Sequence, residues 1–174
     1  IVLVAMSGPG HSTSISHHKA LIQAIVNVAE KFPSWRFIVK LHRKDQLKYY
    51  NEIRHHNKSL LLDVISDKDQ RFPQDIFYWL RQSSCVITGL STIIIEAAYL
   101  LKPIITLDLY NEISNSDIIK SGITRHCTKE MDLKVQLELI LNSNQDVDLK
   151  SKEIISSNLL YKPDGCTSQR IARM

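Results

Sequence analysis

Four turns in this chain gather hydroxyl, imidazole, glycine and carboxylate groups at the points where apolar runs give way to helical ones. In VITGLSTIIIEAAYLLKP (86–103) an apolar run ends at Gly89, and Ser91 and Thr92 open a helical pattern. Two hydroxyls beside the free N–H groups of a first helical turn make a compact phosphate receptor. Glu96 follows four residues after Thr92 and shares its helix face, while Ile93, Ile94 and Ile95 supply buried sides. Helix capping accounts for Ser91. It does not account for Glu96, because Ile94 stands where a capping-box glutamate belongs. A carboxylate facing a ligand crevice can accept hydrogen bonds from a vicinal diol such as ribose. Solvent or Lys102 are the alternative partners for Glu96.

LHRKD (41–45) places His42 at the end of a second apolar run, followed by Arg43 and Lys44. A histidine there can donate to a phosphate oxygen, and the neighbouring cations raise the local potential. SGPGHSTS (7–14) carries Gly8 and Gly10 around Pro9, and such glycines let backbone N–H groups approach an anion. The spacing is not the dinucleotide fingerprint, because Thr13 replaces its third glycine. SDKDQ (66–70), which opens the fourth turn SDKDQRFPQ (66–74), offers acidic residues but lacks the pattern of a calcium loop.

These turns must be held by the elements around them. IVLVAM (1–6) is a continuous apolar run, the mark of a parallel strand buried on both faces. KALIQAIVNVAEKF (19–32) spaces Leu21, Ile22, Ile25, Val26 and Val28 as a helix does. Further strands are expected at 36–42, 59–66, 85–89 and 102–109, alternating with helices at 45–56, 74–82 and 91–101. A short last strand at 122–127 and a helix at 129–142 follow, then one or two closing helices joined by YKPDG (161–165). This alternation predicts an α/β fold: a doubly wound, Rossmann-like parallel sheet with helices on both faces, formed by residues 1–174 as one domain. Open sheets of this kind bind ligands at the carboxyl ends of their strands, where all four turns lie.

Composition narrows the partners. With 44% hydrophobic and 23% charged residues the chain has an ordinary globular make-up. The net charge of +4 is spread along the sequence rather than gathered in a basic stripe, which argues against nucleic acid and suits a small anion. Cys85, Cys127 and Cys166 are odd in number and far apart, so neither a disulfide framework nor a zinc site is expected, and the pattern fits a reducing compartment. The pairs His17-His18 and His55-His56 diverge on a helix and lack metal-ligand spacing, and no nucleophile elbow is present. IIIEAAYLL is broken by Glu96 and falls short of the ~20 residues of a membrane span. IVLVAM lacks the charged leading region of a signal peptide, and a chain opening directly on a strand is expected to be a piece of a longer protein.

The ordered set of strand-Gly loop-helix, KLHRKD, TGLSTIIIEAAYLLKPII and a closing PDGCTSQRIARM resembles the C-terminal, donor-binding domain of GT-B glycosyltransferases. The likeness spans essentially the whole chain and is greatest to the CDP-glycerol glycerophosphotransferases and capsule polysaccharide transferases, with related sialyl- and Kdo-transferases. Sugar-nucleotide 2-epimerases share the architecture. The resemblance implies that His42, Ser91 and Thr92 contact the nucleotide phosphates, with His42 in a leaving-group role. Glu96, before Ala97, lies near the ribose, Gly8 and Gly10 line the crevice, and His11 is within reach. Here Arg43 follows the histidine where the family has proline.

The implied ligand is a CDP-, CMP- or UDP-linked donor, a nucleotide-sugar or CDP-glycerol type of molecule, taken as substrate with no cofactor and no metal. The acceptor and the general base are expected on a missing N-terminal domain, so the chain alone should bind nucleotide weakly and turn over little. The resemblance implies a cytoplasmic protein of surface-polysaccharide synthesis, with peripheral contact to the inner face of the membrane through the parent protein left open. Two alternatives remain: a 2-epimerase, which typically carries Ser-Gly-Gly where this chain has Leu90-Ser91-Thr92, and a non-catalytic doubly wound module.

Overall fold

The computed structural model describes residues 1–10, 13–51, 53 and 61–142. Within them six parallel strands form one sheet: β1 (Val2–Val4), β2 (Phe37–Lys40), β3 (Leu62–Ile65), β4 (Cys85–Thr88), β5 (Ile104–Leu107) and β6 (Arg125–Cys127). Their spatial order is β3-β2-β1-β4-β5-β6, so the chain winds outward from β1 in one direction and then from β4 in the other. The helices are α1 (Ile15–Lys31), α2 (Ile76–Gln82), α3 (Ile93–Tyr99), α4 (Asp117–Lys120) and α5 (Glu130–Asn142). A 3-10 turn (Leu47–Tyr50) lies between β2 and β3. The expected doubly wound parallel fold is the one observed.

Strand alternation divides the interior into two cores. Val2, Val4, Phe37, Val39, Cys85, Ile87, Ile105 and Leu107 face one side and pack with Leu21, Ile22 and Ile25 of α1 and Leu133 and Leu137 of α5. Leu3, Ile38, Val86 and Ile104 face the other and pack with Trp79 and Leu80 of α2 and Ile93, Ile94, Ala97 and Ala98 of α3. All of β1 is fully buried, which is why its sequence is apolar without alternation. Each buried aliphatic side chain contributes roughly 1.5–3 kcal/mol, so both faces hold the strand in register.

Apart from α1, the observed elements are shorter than the patterns that announce them. α1 starts earlier than the apolar spacing indicates, because the Ser14 hydroxyl accepts the His17 N–H at 3.1 Å and caps it. The segment expected to be helical from Asp45 begins instead with the 3-10 turn, Asn51 and Ile53 being helical beyond it. α4 is an addition: Ser116 caps it through the Ile119 N–H at 3.3 Å, a local signal without apolar periodicity. The closing helices, the DGCTSQRIARM motif, Cys166 and the pair His55-His56 lie outside the described residues.

Candidate functional site

β1 and β4 are neighbours whose following connections run to opposite sides of the sheet, so a crevice opens between their carboxyl ends. Two bonds hold that opening: the Ala5 N–H donates to the Ile87 carbonyl at 2.9 Å, and the fully buried Thr88 hydroxyl donates to the Ala5 carbonyl at 2.7 Å. A pocket of about 490 Å³ occupies the crevice on the α2–α3 side. It is lined by Ala5, Met6 and Ser7 after β1, Lys40, Leu41, His42 and Arg43 at the end of β2, and Asp67 after β3. Gln74, Asp75 and Ile76 at the start of α2 and Ser91, Thr92, Ile93 and Glu96 after β4 complete it.

His42, Ser91, Thr92 and Glu96, drawn from two separate turns, therefore share one cavity. His42 is exposed to it, and its Nδ1 accepts the Lys44 N–H at 3.3 Å. A neutral ring accepting at Nδ1 carries its proton on Nε2, the form that donates to an anion. Thr92 holds the N-cap position of α3 without a side-chain cap bond, and the Ser91 hydroxyl sits 3.5 Å from the Ile93 N–H. The cap assigned to Ser91 is thus a long contact, and the Thr92 hydroxyl has no bond among the described residues.

Glu96 lines the pocket, and its carboxylate has neither hydrogen bond nor ion pair among the described residues. Partial burial pushes its carboxyl above the usual value. Lys102, its alternative partner, is engaged elsewhere: its ammonium donates to the Ser83 carbonyl at 2.8 Å and the Arg81 carbonyl at 3.0 Å, at the end of α2. A cation there satisfies terminal helix carbonyls and leaves Glu96 without it.

The two glycines do not line this pocket. Gly8 is buried, its N–H donates to Asp45 Oδ1 at 2.8 Å, and a Cβ added to it would meet that oxygen at 2.7 Å. Gly10 has φ +108° and donates to the Thr13 carbonyl at 3.1 Å, with open space around it. The first glycine thus serves a carboxylate of the protein, and the second a turn. Among the described residues of SGPGHSTS, Ser7 lines the cavity. His11 lies outside the described residues.

Sequence reasoning missed Lys40 and Asp75, and marked Asp67 and Gln74 only as parts of the fourth turn. The Lys40 ammonium, with only 5% of the side chain exposed, forms an ion pair with Asp67. Asp75 caps α2 by accepting the Phe77 N–H at 3.0 Å, and Gln74 donates to the Asp69 and Phe72 carbonyls at 2.6 and 3.0 Å. The KLH order hinted at Lys40, since side chains two apart on a strand share a face. Its counter-ion becomes evident only from the β2–β3 register, which sets Lys40 beside Ile65, two residues before Asp67. Arg43, Asp75 and Glu96 are the lining charges without an ion pair among the described residues, and of these Asp75 is engaged as the cap of α2.

The divergence expected of His17 and His18 is observed. His17 stacks on Tyr110 with centroids 4.4 Å apart and meets Glu112 at 3.0 Å, whereas His18 lies edge-on to Tyr50 at 5.0 Å. No cluster able to hold a metal ion occurs among the described residues, and no helix among them is long and apolar enough to cross a membrane.

No protein-family model matches the sequence, and no curated protein sequence does. Solved structures match the fold. The chain is similar to UDP-GlcNAc 2-epimerase from Neisseria meningitidis bound to UDP-GlcNAc, with TM-score 0.65 and 15% identity over 99% of this chain and 43% of that one. It is similar to the wall teichoic acid polymerase TagF in its H444N variant, with TM-score 0.63 and 14% identity over 99% of this chain and 42% of that one. It is also similar to the C-terminal domain of a group 1 family glycosyl transferase, LpcC, from Francisella tularensis, with TM-score 0.60 and 12% identity over 92% of this chain and 87% of that domain. The chain spans less than half the length of the first two proteins and nearly all of the isolated domain.

Proposed function

We propose that this chain is the donor-binding half of a GT-B transferase and that its pocket receives the nucleotide part of an activated donor. The observation that carries the reading is the convergence of His42, Ser91, Thr92 and Glu96 on one cavity at the sheet's switch point. Further support comes from the proteins that share the fold, among them a UDP-GlcNAc enzyme, a teichoic acid polymerase and a glycosyl transferase domain.

The protonated Nε2 of His42 and the hydroxyls of Ser91 and Thr92 donate to the donor's phosphates, and Arg43 adds positive potential at the mouth. Such donors stabilise charge that builds on a departing nucleotide phosphate without themselves changing protonation. Glu96 accepts from the ribose diol. Transfer is preferred to epimerisation because the β4 turn reads Leu90-Ser91-Thr92. Within the resemblance, a CDP-, CMP- or UDP-linked donor for a surface polysaccharide is the finer form of this proposal.

Calorimetric titration of CDP, CMP and UDP tests it. The wild-type chain is expected to bind at least one of them, and His42→Ala to bind it about tenfold more weakly, the loss of one charge-assisted hydrogen bond. Equal binding by both proteins would discard the site, and binding by neither would favour a non-catalytic module.

A further inference from the structure

The Asp45 carboxylate receives hydrogen bonds from three donors on different parts of the chain: Gly8 N–H at 2.8 Å, His42 N–H at 3.2 Å and Tyr50 hydroxyl at 2.9 Å. Gly8 belongs to the loop after β1, His42 to the end of β2, and Tyr50, fully buried, to the turn that follows. One oxygen takes Gly8 and the other takes both His42 and Tyr50, so the carboxylate bridges the two loops through both of its oxygens. The chain after Asp45 takes a 3-10 turn from Leu47, and the absence of a Cβ at Gly8 lets the carboxylate come this close.

We propose that Asp45 is a positioning residue for His42, clamping the loop after β1 to the end of β2 so that the His42 ring is presented to the pocket. The inference rests on the reading of His42 as a ligand contact. Asp45 does not line the pocket and touches no reacting group. Its effect reaches a ligand through the main chain of His42 on one side and, through Gly8, the loop carrying Ser7 on the other. Burial, and then the charge of Asp45 and the bond to it, raise the Tyr50 phenol above its ordinary value, so that hydroxyl remains a donor into alkaline pH.

Two measurements on the full chain test the clamp. In the first, amide hydrogen exchange is followed by NMR in wild type, Asp45→Asn and Gly8→Ala. An asparagine presents an NH₂ where one carboxylate oxygen stood, so one of the two amide bonds is lost. Gly8→Ala pushes the carboxylate away from the opposite side. Asp45→Asn is expected to speed exchange at one of the two amides, Gly8 or His42, and Gly8→Ala at position 8 and at His42, by roughly tenfold or more, while the amides of Val4 and Val39, inside β1 and β2, keep their protection. Unchanged exchange at both amides in folded Asp45→Asn, or at His42 in folded Gly8→Ala, overturns the clamp. So does a general loss of protection that includes Val4 and Val39.

The second measurement is a double-mutant cycle of nucleotide binding with UDP and CDP as probes. Asp45→Asn is expected to weaken binding roughly tenfold when His42 is present and hardly at all in the His42→Ala background. Equal losses in both backgrounds show that Asp45 does not act through His42 and overturn the positioning role. If His42→Ala binds like wild type, the proposed site itself fails, an outcome separate from failure of the cycle. The milder Tyr50→Phe, which retains both amide bonds, is expected to lose two- to threefold with the same dependence on His42.

Discussion

On the β1–β2 side of the pocket the polar groups other than Arg43 and the Nε2 of His42 hold one another, and on the β4 side they do not. Asp45 takes three donors, Gly8 gives its N–H to it, and Lys40 is neutralised by Asp67. Across the cavity the Thr92 hydroxyl and the Glu96 carboxylate have no partners among the described residues, and Ser91 has one contact at 3.5 Å. Buried polar groups cost free energy unless paired, so the paired side is built to keep a shape. The unpaired side keeps its hydrogen-bonding capacity for something that enters.

That contrast predicts opposite phenotypes on the two sides. The largest effect is expected from Asp67→Asn, which leaves the Lys40 ammonium, 5% exposed, without its counter-ion. Stability should fall by about 2 kcal/mol in urea titration, less than the loss of a fully buried partner because Asp67 is itself 41% exposed. No change in the unfolding midpoint would show that the pair is ornamental and that the two sides do not differ.

Next in size is Gly8→Ala. The new methyl meets Asp45 Oδ1 at 2.7 Å, and the overlap together with the lost bond should cost about 1–3 kcal/mol. Gly10→Ala has open space and bears only the strain of its φ of +108°, about 1 kcal/mol. Denaturation curves showing Gly10→Ala to be the worse variant would contradict the clamp as the reason for Gly8.

Glu96→Gln should behave the other way. Nucleotide affinity is expected to drop about tenfold, as for a lost hydrogen bond to a charged group, while the unfolding midpoint stays at or slightly above wild type. An unchanged affinity would return Glu96 to the protein surface and remove the functional side of the comparison.

The smallest effect concerns pH. Burial raises the folded-state pKa of Glu96 above its unfolded value, so between the two the folded chain binds more protons. The contribution of Glu96 to stability is therefore present below the unfolded value and is lost as pH rises through the folded one. Thermal unfolding of wild type measured against Glu96→Gln should show the variant gaining relative stability from about pH 4 to pH 7. A difference that does not vary with pH, or varies in the opposite sense, would argue against a desolvated carboxylate at this position.

How much of this was legible follows from what is local. The apolar runs of β1, β2, β4 and β5 and the spacing of α1 and α5 announce themselves, because burial on two faces or one imposes a pattern within a few residues. His42, Ser91 and Thr92 were legible as strand-end residues once the βαβ alternation was read, and Glu96 as the carboxylate one helical turn further on. α4 escaped because four residues carry no period and only Ser116 marks them. The 3-10 start after Asp45 escaped because a carboxylate that serves Gly8 is, in one dimension, an ordinary helix opener.

The sequence by itself determined the element order, the parallel sheet and the edge on which a ligand can sit, since propensity, alternation and turn chemistry act between near neighbours. Only the tertiary structure decided which groups are already spent. The Gly8–Asp45 bond joins residues 37 apart and the Lys40–Asp67 pair residues 27 apart, both set by strand order and register. The same hydrogen-bonding groups are equally available to either role in the unfolded chain. Which of them remain open to a ligand is settled when β1, β2, β3 and β4 come to lie side by side.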